Sequence, residues 1–573
     1  MASVTPRVFL LDYGAGNVRS LCNAVQHATG IDLVPIRTAA EFALADIVVF
    51  PGVGAFGQAV SGLRALGFVE PLLAYLRSGK PFFGICVGMQ SLFAASEEDP
   101  GAVGLGVIPV TIRKFSSATK VVPHMGWNAA PTVLPSALAI IDPHASYYFV
   151  HSYAAIFGSV ESDDEVLARA ACATSRYGDQ VFTAAVRFRN IFATQFHPEK
   201  SGPAGLQLLR DYFATAAPMA PLPDRADLLP GAPTESQAVT LAAITATPDR
   251  LAKRIIACLD IRANDAGELV VTKGQGYDVR DTTTSNGGDV RNLGDPVVLA
   301  SRYYSEGADE IAFLNIMSFR SVPIADLPML HLLERASATL FVPLTIGGGI
   351  RDIPQPNGAP TVRALDVVAA YFRAGADKVS IGSDAVAMAE SLWAERGNGA
   401  VFAARRGTTA IEQIAAVYGS QALVVSVDPR RVYVSSPTDT THTTIPTAYP
   451  GPNGEGYCWY ECTIKGGREA RDLDVVQLVT ACEYLGAGEV LLNCMDKDGS
   501  NSGFDLELTA MVKRAVRIPV VASSGAGAVE HFSEVFSATG CEAALAAGIF
   551  HRKEVPIESV KAHLAGAGVL TRS

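Results

Sequence analysis

One short pattern of this chain, an apolar run ending in Asp with Arg two residues on, returns in a way that few folds permit. Cys258-Leu259-Asp260-Ile261-Arg262 closes one apolar strand candidate, and Ser426-Val427-Asp428-Pro429-Arg430 closes another. Gly307-Ala308-Asp309-Glu310 likewise matches Gly486-Ala487-Gly488-Glu489, and Val342-Pro343-Leu344-Thr345-Ile346-Gly347-Gly348-Gly349 matches Ile518-Pro519-Val520-Val521-Ala522-Ser523-Ser524-Gly525. Members of each pair lie four strands apart among eight candidates: Ile255–Leu259, Ile311–Ile316, Phe341–Ile346, Val379–Ile381, Leu423–Val427, Val490–Cys494, Ile518–Ala522 and Ala543–Ala546. Eight apolar strands separated by helix-length stretches predict a (β/α)8 barrel, and the three pairs predict two duplicated half-barrels. Insertions are expected at 354–361, 387–419 and 435–456; the last is polar and Thr/Pro-rich, and reads as a loop over the top face.

At 573 residues the chain exceeds what one core supports. Ahead of the barrel, Val8–Leu11, Ile47–Phe50 and Phe82–Ile85 alternate with helical stretches, which predicts a doubly wound, flavodoxin-like α/β sheet. Between the two, Pro218, Pro221, Pro223, Pro230, Pro233 and Pro248 mark a semi-extended linker on the surface. The expected division is therefore 1–213, a linker over 214–250, and 251–573. A net charge of −11 gives no footprint for nucleic acid. No apolar run reaches the roughly 18 residues of a membrane span. Strand-like sequence from Arg7 and nine cysteines without paired spacing point to reduced thiols in the cytoplasm, with a plastid the alternative. Neither a metal nor a cofactor is expected.

Gly84-Ile85-Cys86-Val87-Gly88 follows the apolar Pro81-Phe82-Phe83 and precedes a helical stretch. Small residues around a Cys permit the sharp strand-to-helix turn that exposes a nucleophile, and a helix N-terminus favours its thiolate. His197-Pro198-Glu199 supplies a base and a carboxylate to orient it. Cys86, His197 and Glu199 are thus candidate catalytic residues, near the Gly-rich Pro51–Gly57 loop. In the barrel, small residues after strands seven and eight (Ser524-Gly525 and Ala547-Gly548) suit an anion held by backbone N–H groups. Duplication predicts a second such site at Gly348-Gly349 and Gly382-Ser383. Two phosphate sites across one mouth imply a substrate with a phosphate at each end. Between them, Asp260 and Asp428 end opposing strands and are candidates for divided acid and base roles. Lys273, in a Gly-bearing loop, reads as part of a lid, and Asp498-Gly499-Ser500 follows strand six.

The N-terminal motifs resemble those of class I glutamine amidotransferases. With the barrel, the chain resembles the bifunctional imidazole glycerol phosphate synthase family across nearly its whole length. The matches are Gly84–Gln90, Gln195–Ser201, Pro123-His124-Met125-Gly126-Trp127-Asn128 and Asp496-Lys497-Asp498-Gly499-Ser500. This resemblance implies that ammonia released from glutamine is joined to phosphoribulosyl-formimino-aminoimidazole carboxamide ribotide. The products would be imidazole glycerol phosphate and aminoimidazole carboxamide ribotide. It also implies substrate contacts at Gly52, Gly54 and Gln90 in the glutaminase, and at Lys273, Gly348, Gly349, Ser383, Asp498, Gly499, Ser500, Ser524, Gly525, Ala547 and Gly548 in the barrel. Arg254, Glu310, Lys378 and Glu489 precede barrel strands; alone they read as a stabilising ion-pair ring, and the resemblance makes them an ammonia gate. Lys200 and Asp377 match residues expected at the domain interface. A peptide flip in Pro51-Gly52-Val53-Gly54 is the expected allosteric switch, and both halves in one chain suggest a monomer. Ser524, Gly382-Ser383 and Asn315 depart from the pattern of separate bacterial subunits. Two other readings are a different glutaminase-coupled barrel synthase, such as one making pyridoxal phosphate, and a regulatory protein with an inactive amidotransferase half. The first needs a Schiff-base lysine that no strand carries mid-length; intact Cys86, His197 and Glu199 oppose the second.

Overall fold

A computed structural model describes residues 6–14, 16–52, 54–223, 227–229, 244, 246–264, 267–272, 292–316, 327–353, 361–396, 402 and 404–572. It divides into two units: Met1–Ala252 with Ser337–Val342 and Val417–Gly419, and Lys253–Ala336 with Pro343–Ala416 and Ser420–Ser573.

The first unit is built on a seven-stranded sheet ordered Ala171–Tyr177, Gln180–Phe188, Ile191–Thr194, Phe82–Ile85, Ile47–Phe50, Val8–Leu10, Leu33–Pro35. Its central strands pair in parallel and the strand Gln180–Phe188 pairs antiparallel to both neighbours. Ile47–Phe50 and Phe82–Ile85 are buried at every position, as expected for strands covered on both faces. The segment read as a surface linker packs more closely where it is described: Leu228, Leu229 and Ile244 are 5%, 8% and 0% exposed and belong to the core of this unit. Met219 and Leu222 also donate backbone N–H groups to Gly79 and Arg77 carbonyls at 2.8 Å. Apolar side chains between the prolines draw the segment inward, a pull that counting prolines does not register.

In the second unit eight parallel strands close on themselves: Arg254–Ala263, Glu310–Asn315, Leu344–Gly347, Lys378–Ile381, Leu423–Val427, Glu489–Asn493, Val520–Ser523 and Ala543–Ala546. Closure comes from Arg254–Ala257 pairing with Ala543–Ala546. Each agrees with its expected strand to within a few residues; the third starts later, at Leu344, and the seventh at Val520. The barrel interior is filled by Ile256, Cys258, Ala312, Val424, Leu491, Val521, Ala543 and Leu545. With a side-chain period of two, Arg254, Ile256, Cys258 and Asp260 share one face of the first strand, so that strand carries a charge at each end and apolar residues between.

The bottom rim carries a repeated bracket. The residue before each even-numbered strand (Asp309, Asp377, Gly488, Glu542) donates its N–H to the carbonyl of Ile255, Leu344, Leu423 or Val520 on the strand before, at 2.8–3.1 Å. In three of the four its carboxylate also accepts the N–H of that same residue: Ile255 to Asp309 at 2.9 Å, Leu344 to Asp377 at 2.8 Å, Val520 to Glu542 at 2.9 Å. The fourth position is Gly488, where an added Cβ would lie 2.1 Å from the Ser420 carbonyl oxygen.

Residues 435–456 are mostly loop, as expected, with Ile445–Pro446 as their strand; they join Pro429–Val434 to Tyr457–Ile464 in a small antiparallel sheet that Glu469–Asp474 completes. The aromatic-rich Tyr457-Cys458-Trp459-Tyr460 strand organises it. Arg431 pins the sheet, reaching Asp505 at 2.6 Å, Glu507 at 3.0 Å and the Tyr460 hydroxyl at 2.8 Å. Much of 387–419 is helix, Ser383–Arg396 and Ala410–Tyr418. Residues 354–360 lie outside the described residues, closed off by an Ile353–Val362 bridge.

Candidate active sites

The strand Phe82–Ile85 delivers Cys86 at φ +52°, a strained conformation for a residue with a side chain. What enforces it is close packing on both sides of the turn. A Cβ on Gly88 would sit 1.8 Å from the Phe50 carbonyl oxygen, and one on Gly84 would sit 2.9 Å from the Gly88 carbonyl oxygen. Gly52 is equally constrained, with 2.6 Å between an added Cβ and Val87 Cβ. The helix after the elbow is one turn, Val87–Gln90, so its dipole contributes less than the sequence suggested. His197 Nδ1 lies 2.7 Å from Glu199 Oε1, and both side chains are buried. Burial opposes a charged imidazole, but the Glu199 carboxylate and the Cys86 thiolate outweigh it and hold His197 well above its ordinary range. Glu199 thus fixes the proton on Nδ1 and orients the ring, and the interaction with Cys86 adds to the rise.

Gln195, quoted in the motif but given no role, donates from Nε2 to Cys86 Sγ at 3.5 Å. Gln90 Nε2 in turn donates to Gln195 Oε1 at 3.1 Å and to the Tyr153 carbonyl at 3.0 Å. Gln90 therefore props Gln195. Gly54 has φ +144°, a conformation open to glycine. Val53 lies outside the described residues. Lys200 ends the 3-10 turn Pro198–Lys200, 2% exposed.

At the barrel mouth, Asp260 and Asp428 stand at the C-terminal ends of strands one and five. Burial, helped by the nearby Asp498 carboxylate, pushes Asp260 up from 3.8 to about 7. Burial also raises Asp428, but a hydrogen bond from Asn493 Nδ2 at 3.1 Å opposes it, and the result is about 6. Neither carboxylate caps a helix. Asp498 is itself raised by burial, against a backbone hydrogen bond from Gly499. Gly499, at φ +69°, and Ser500, whose Oγ donates to the Lys497 carbonyl at 2.8 Å, complete that turn.

Ser524 sits at φ +72° and donates its hydroxyl to Asn493 Oδ1. Gly525 follows at φ +96°, where an added Cβ would meet the Gly503 carbonyl oxygen at 2.2 Å. Ala547 and Gly548 begin the one-turn helix Gly548–His551. In the other half, Gly348 and Gly349 have φ +100° and +76°. Ser383 Oγ accepts the Lys465 N–H at 3.0 Å, so the added sheet reaches this loop. Lys273 lies outside the described residues.

Arg254, Glu310, Lys378 and Glu489 are the first residues of strands one, two, four and six, 0–2% exposed. They close into a ring: Arg254 reaches Glu310 at 2.9 Å and also Glu489, and Lys378 reaches Glu310 at 2.7 Å and Glu489 at 2.6 Å. Thr345 Oγ1 adds a bond to Glu310 at 2.6 Å. Asp377 stands one residue before Lys378, in the rim bracket. Among the described residues no three His, Cys, Asp or Glu gather as metal ligands, and no single helix is long and apolar enough to cross a membrane. Sequence reasoning missed Gln195 and Asn493. The repeat gave no signal for Asn493: counted from the shared Gly-Ala-x-Glu, its counterpart in the first half is Leu314 and not Asn315.

Residues 9–216 match the family described as "Glutamine amidotransferase class-I", and 254–556 that described as "Histidine biosynthesis protein". The chain is 52% identical to "Imidazole glycerol phosphate synthase hisHF" of Emericella nidulans, over 99% of both chains. It is 51% identical to the protein so described in Schizosaccharomyces pombe, over 99% of this chain and all of that one. A relative in Arabidopsis thaliana, described as chloroplastic, is 49% identical over 97% of this chain and 88% of its own length.

Proposed function

The chain belongs to the imidazole glycerol phosphate synthase hisHF family, and from that premise we propose which of its residues perform each half of the chemistry. It is an enzyme of histidine biosynthesis that joins a glutamine amidotransferase to a cyclase in one polypeptide. In the glutaminase, Cys86 Sγ attacks the glutamine amide carbon while the Glu199-held His197 carries a proton to the departing ammonia. Water then releases glutamate from the thioester. Gln195 holds the sulfur, and Gly52 leaves room for a backbone N–H to face the oxyanion, an effect worth roughly 10²–10³-fold in rate.

In the barrel, a carboxyl at about 7 and one at about 6 divide the work at neutral pH. Burial raises both, and the Asn493 bond holds Asp428 the lower, so Asp260 takes the donor's part and Asp428 the acceptor's. This pair of raised carboxylates, in the same chain as the buried Cys-His-Glu triad, is the observation that carries the reading. The bisphosphorylated ribotide lies between Gly348-Gly349 with Ser383 on one side and Ser524-Gly525 with Ala547-Gly548 on the other. Ammonia travels inside the barrel past the ring of Arg254, Glu310, Lys378 and Glu489, where a dry path keeps it unprotonated. A monomeric state, a cytoplasmic location, the domain limits 1–213 and 251–573, and a pairing of Lys200 with Asp377 belong to the same proposal. The test supplies the formimino ribotide with glutamine or with ammonium and follows imidazole glycerol phosphate. Product with ammonium alone in Cys86→Ala, and none from either source in Asp428→Asn, is the expected pattern. Equal loss of both activities in Cys86→Ala refutes the division of labour.

A further inference from the structure

The twofold repeat of the barrel is broken at its two carboxylates. Asn493 closes strand six and makes three side-chain bonds at the mouth. Its Nδ2 donates to Asp428 Oδ1 at 3.1 Å, and its Oδ1 accepts the Ser523 hydroxyl at 3.4 Å and the Ser524 hydroxyl. Asp260, at the matching place in the first half, receives no side-chain hydrogen bond among the described residues. We propose that Asn493 is a positioning residue which couples the Ser523-Ser524 loop to Asp428, so that seating the substrate's phosphate there sharpens Asp428 as a base. The inference rests on the reading of Asp428 as the base and of that loop as a phosphate site.

The physical route is one chain of hydrogen bonds, Ser524 to Asn493 to Asp428. An amide whose oxygen accepts a strong bond donates a stronger one from its nitrogen, because the two polarise each other. A phosphate oxygen that takes the Ser524 proton withdraws it from Asn493 Oδ1. The Nδ2–H bond to Asp428 then weakens, the ionised carboxylate is less stabilised, and its proton affinity rises as substrate arrives. Other groups bearing on Asp428 are Asp498, which raises it, and Cys462 of the added sheet. Thr463 bonds only its main-chain oxygen, at 2.6 Å from Oγ1. Ser524 holds φ +72° in the arrangement that aims its hydroxyl at Asn493.

The experiment is the pH dependence, from about pH 5 to about pH 9, of ammonium-dependent synthesis in the full-length enzyme. It compares wild type, Asn493→Leu, Ser524→Ala and Asp428→Asn. The acid limb of kcat/KM reports the free enzyme and that of kcat the complex. In wild type the kcat limb lies a few tenths of a pH unit above the kcat/KM limb. Ser524→Ala closes that gap by raising the kcat/KM limb, although Ser524 makes no contact with Asp428. Asn493→Leu raises both limbs by about one pH unit, the shift that a lost bond to a charged acceptor produces. Circular dichroism and cooperative thermal unfolding of full-length Asn493→Leu beside wild type report whether its barrel has folded; if it has not, Ser524→Ala decides alone. Limbs that stay at wild-type pH in a folded Asn493→Leu, or a gap unchanged in Ser524→Ala, overturn the coupling while leaving Asp428 as base. Synthesis persisting in Asp428→Asn instead overturns the underlying assignment.

Discussion

Replacing Arg254 by Met tests whether the ring under the barrel is a balanced charge cluster. Arg254 is fully buried and serves two carboxylates, each also served by Lys378. Without it a lone ammonium faces Glu310 and Glu489, leaving one buried negative charge uncompensated, at a cost of about 3–5 kcal/mol. The sign of the pH dependence should also turn over. Burial alone would raise Glu489, but Arg254 first and Lys378 second outweigh it and hold it below 4.5. A depressed carboxylate adds stability that is present above its unfolded value and lost as pH falls through its folded one. In Arg254→Met burial prevails, the folded value rises above the unfolded one, and stability instead falls as pH climbs. Hydrogen exchange of the strand Glu489–Asn493, measured at about pH 5 and about pH 8, reads both effects. The loss should be larger at the higher pH. Arg254→Met/Glu489→Met leaves Lys378 facing Glu310 alone and should be more stable than the single variant at about pH 8. A single variant that loses less than about 1 kcal/mol, with no pH difference, refutes the reasoning, as does a double variant in which two losses simply add.

Cys86→Ala should abolish ammonia release from glutamine and leave ammonium-dependent synthesis near wild type, measured side by side. Asp260→Asn should lower synthesis with either nitrogen source by about 10²-fold or more, while glutamine hydrolysis persists. The same variant should be more stable than wild type at about pH 8, by roughly 1–3 kcal/mol in urea unfolding. Its carboxyl is raised from 3.8 to about 7, so stability is lost as pH climbs between those two values and stays lost at about pH 8, and partial exposure at the mouth keeps the gain below the full linkage value. Ser524→Gly relieves a positive φ but removes the hydroxyl on Asn493. Thermal unfolding should rise or hold while KM for the phosphorylated substrate increases.

The features legible in the sequence were those written locally or written twice. Asp260 and Asp428 stood out because each closes an apolar strand and is followed two residues later by Arg, and the elbow because glycines flank a cysteine within five residues. Gln195 and Asn493 escaped because their bonds to Cys86 and Asp428 cross 109 and 65 residues, and no local pattern encodes such a meeting. The sheet around 457–464 was missed for a different reason. Thr, Pro and Gly dominate the turns that join its strands, and they masked the aromatic strand at its centre. Likewise the prolines of the linker spoke for exposure, whereas Leu228, Leu229 and Ile244 decide its packing.

The rim brackets carry a mechanical consequence. Strands one and two, three and four, and seven and eight are each fastened at the bottom by two hydrogen bonds from one residue, but five and six by one. Close approach of the chain at Ser420 excludes any side chain at Gly488, so that seam cannot be reinforced by substitution there. Strand five is also the strand from which the extra sheet departs, and strand six carries Asn493. Of the four bracketed pairs, the one on the side of Asp428 therefore keeps a single fastening that no side chain at its rim position can double.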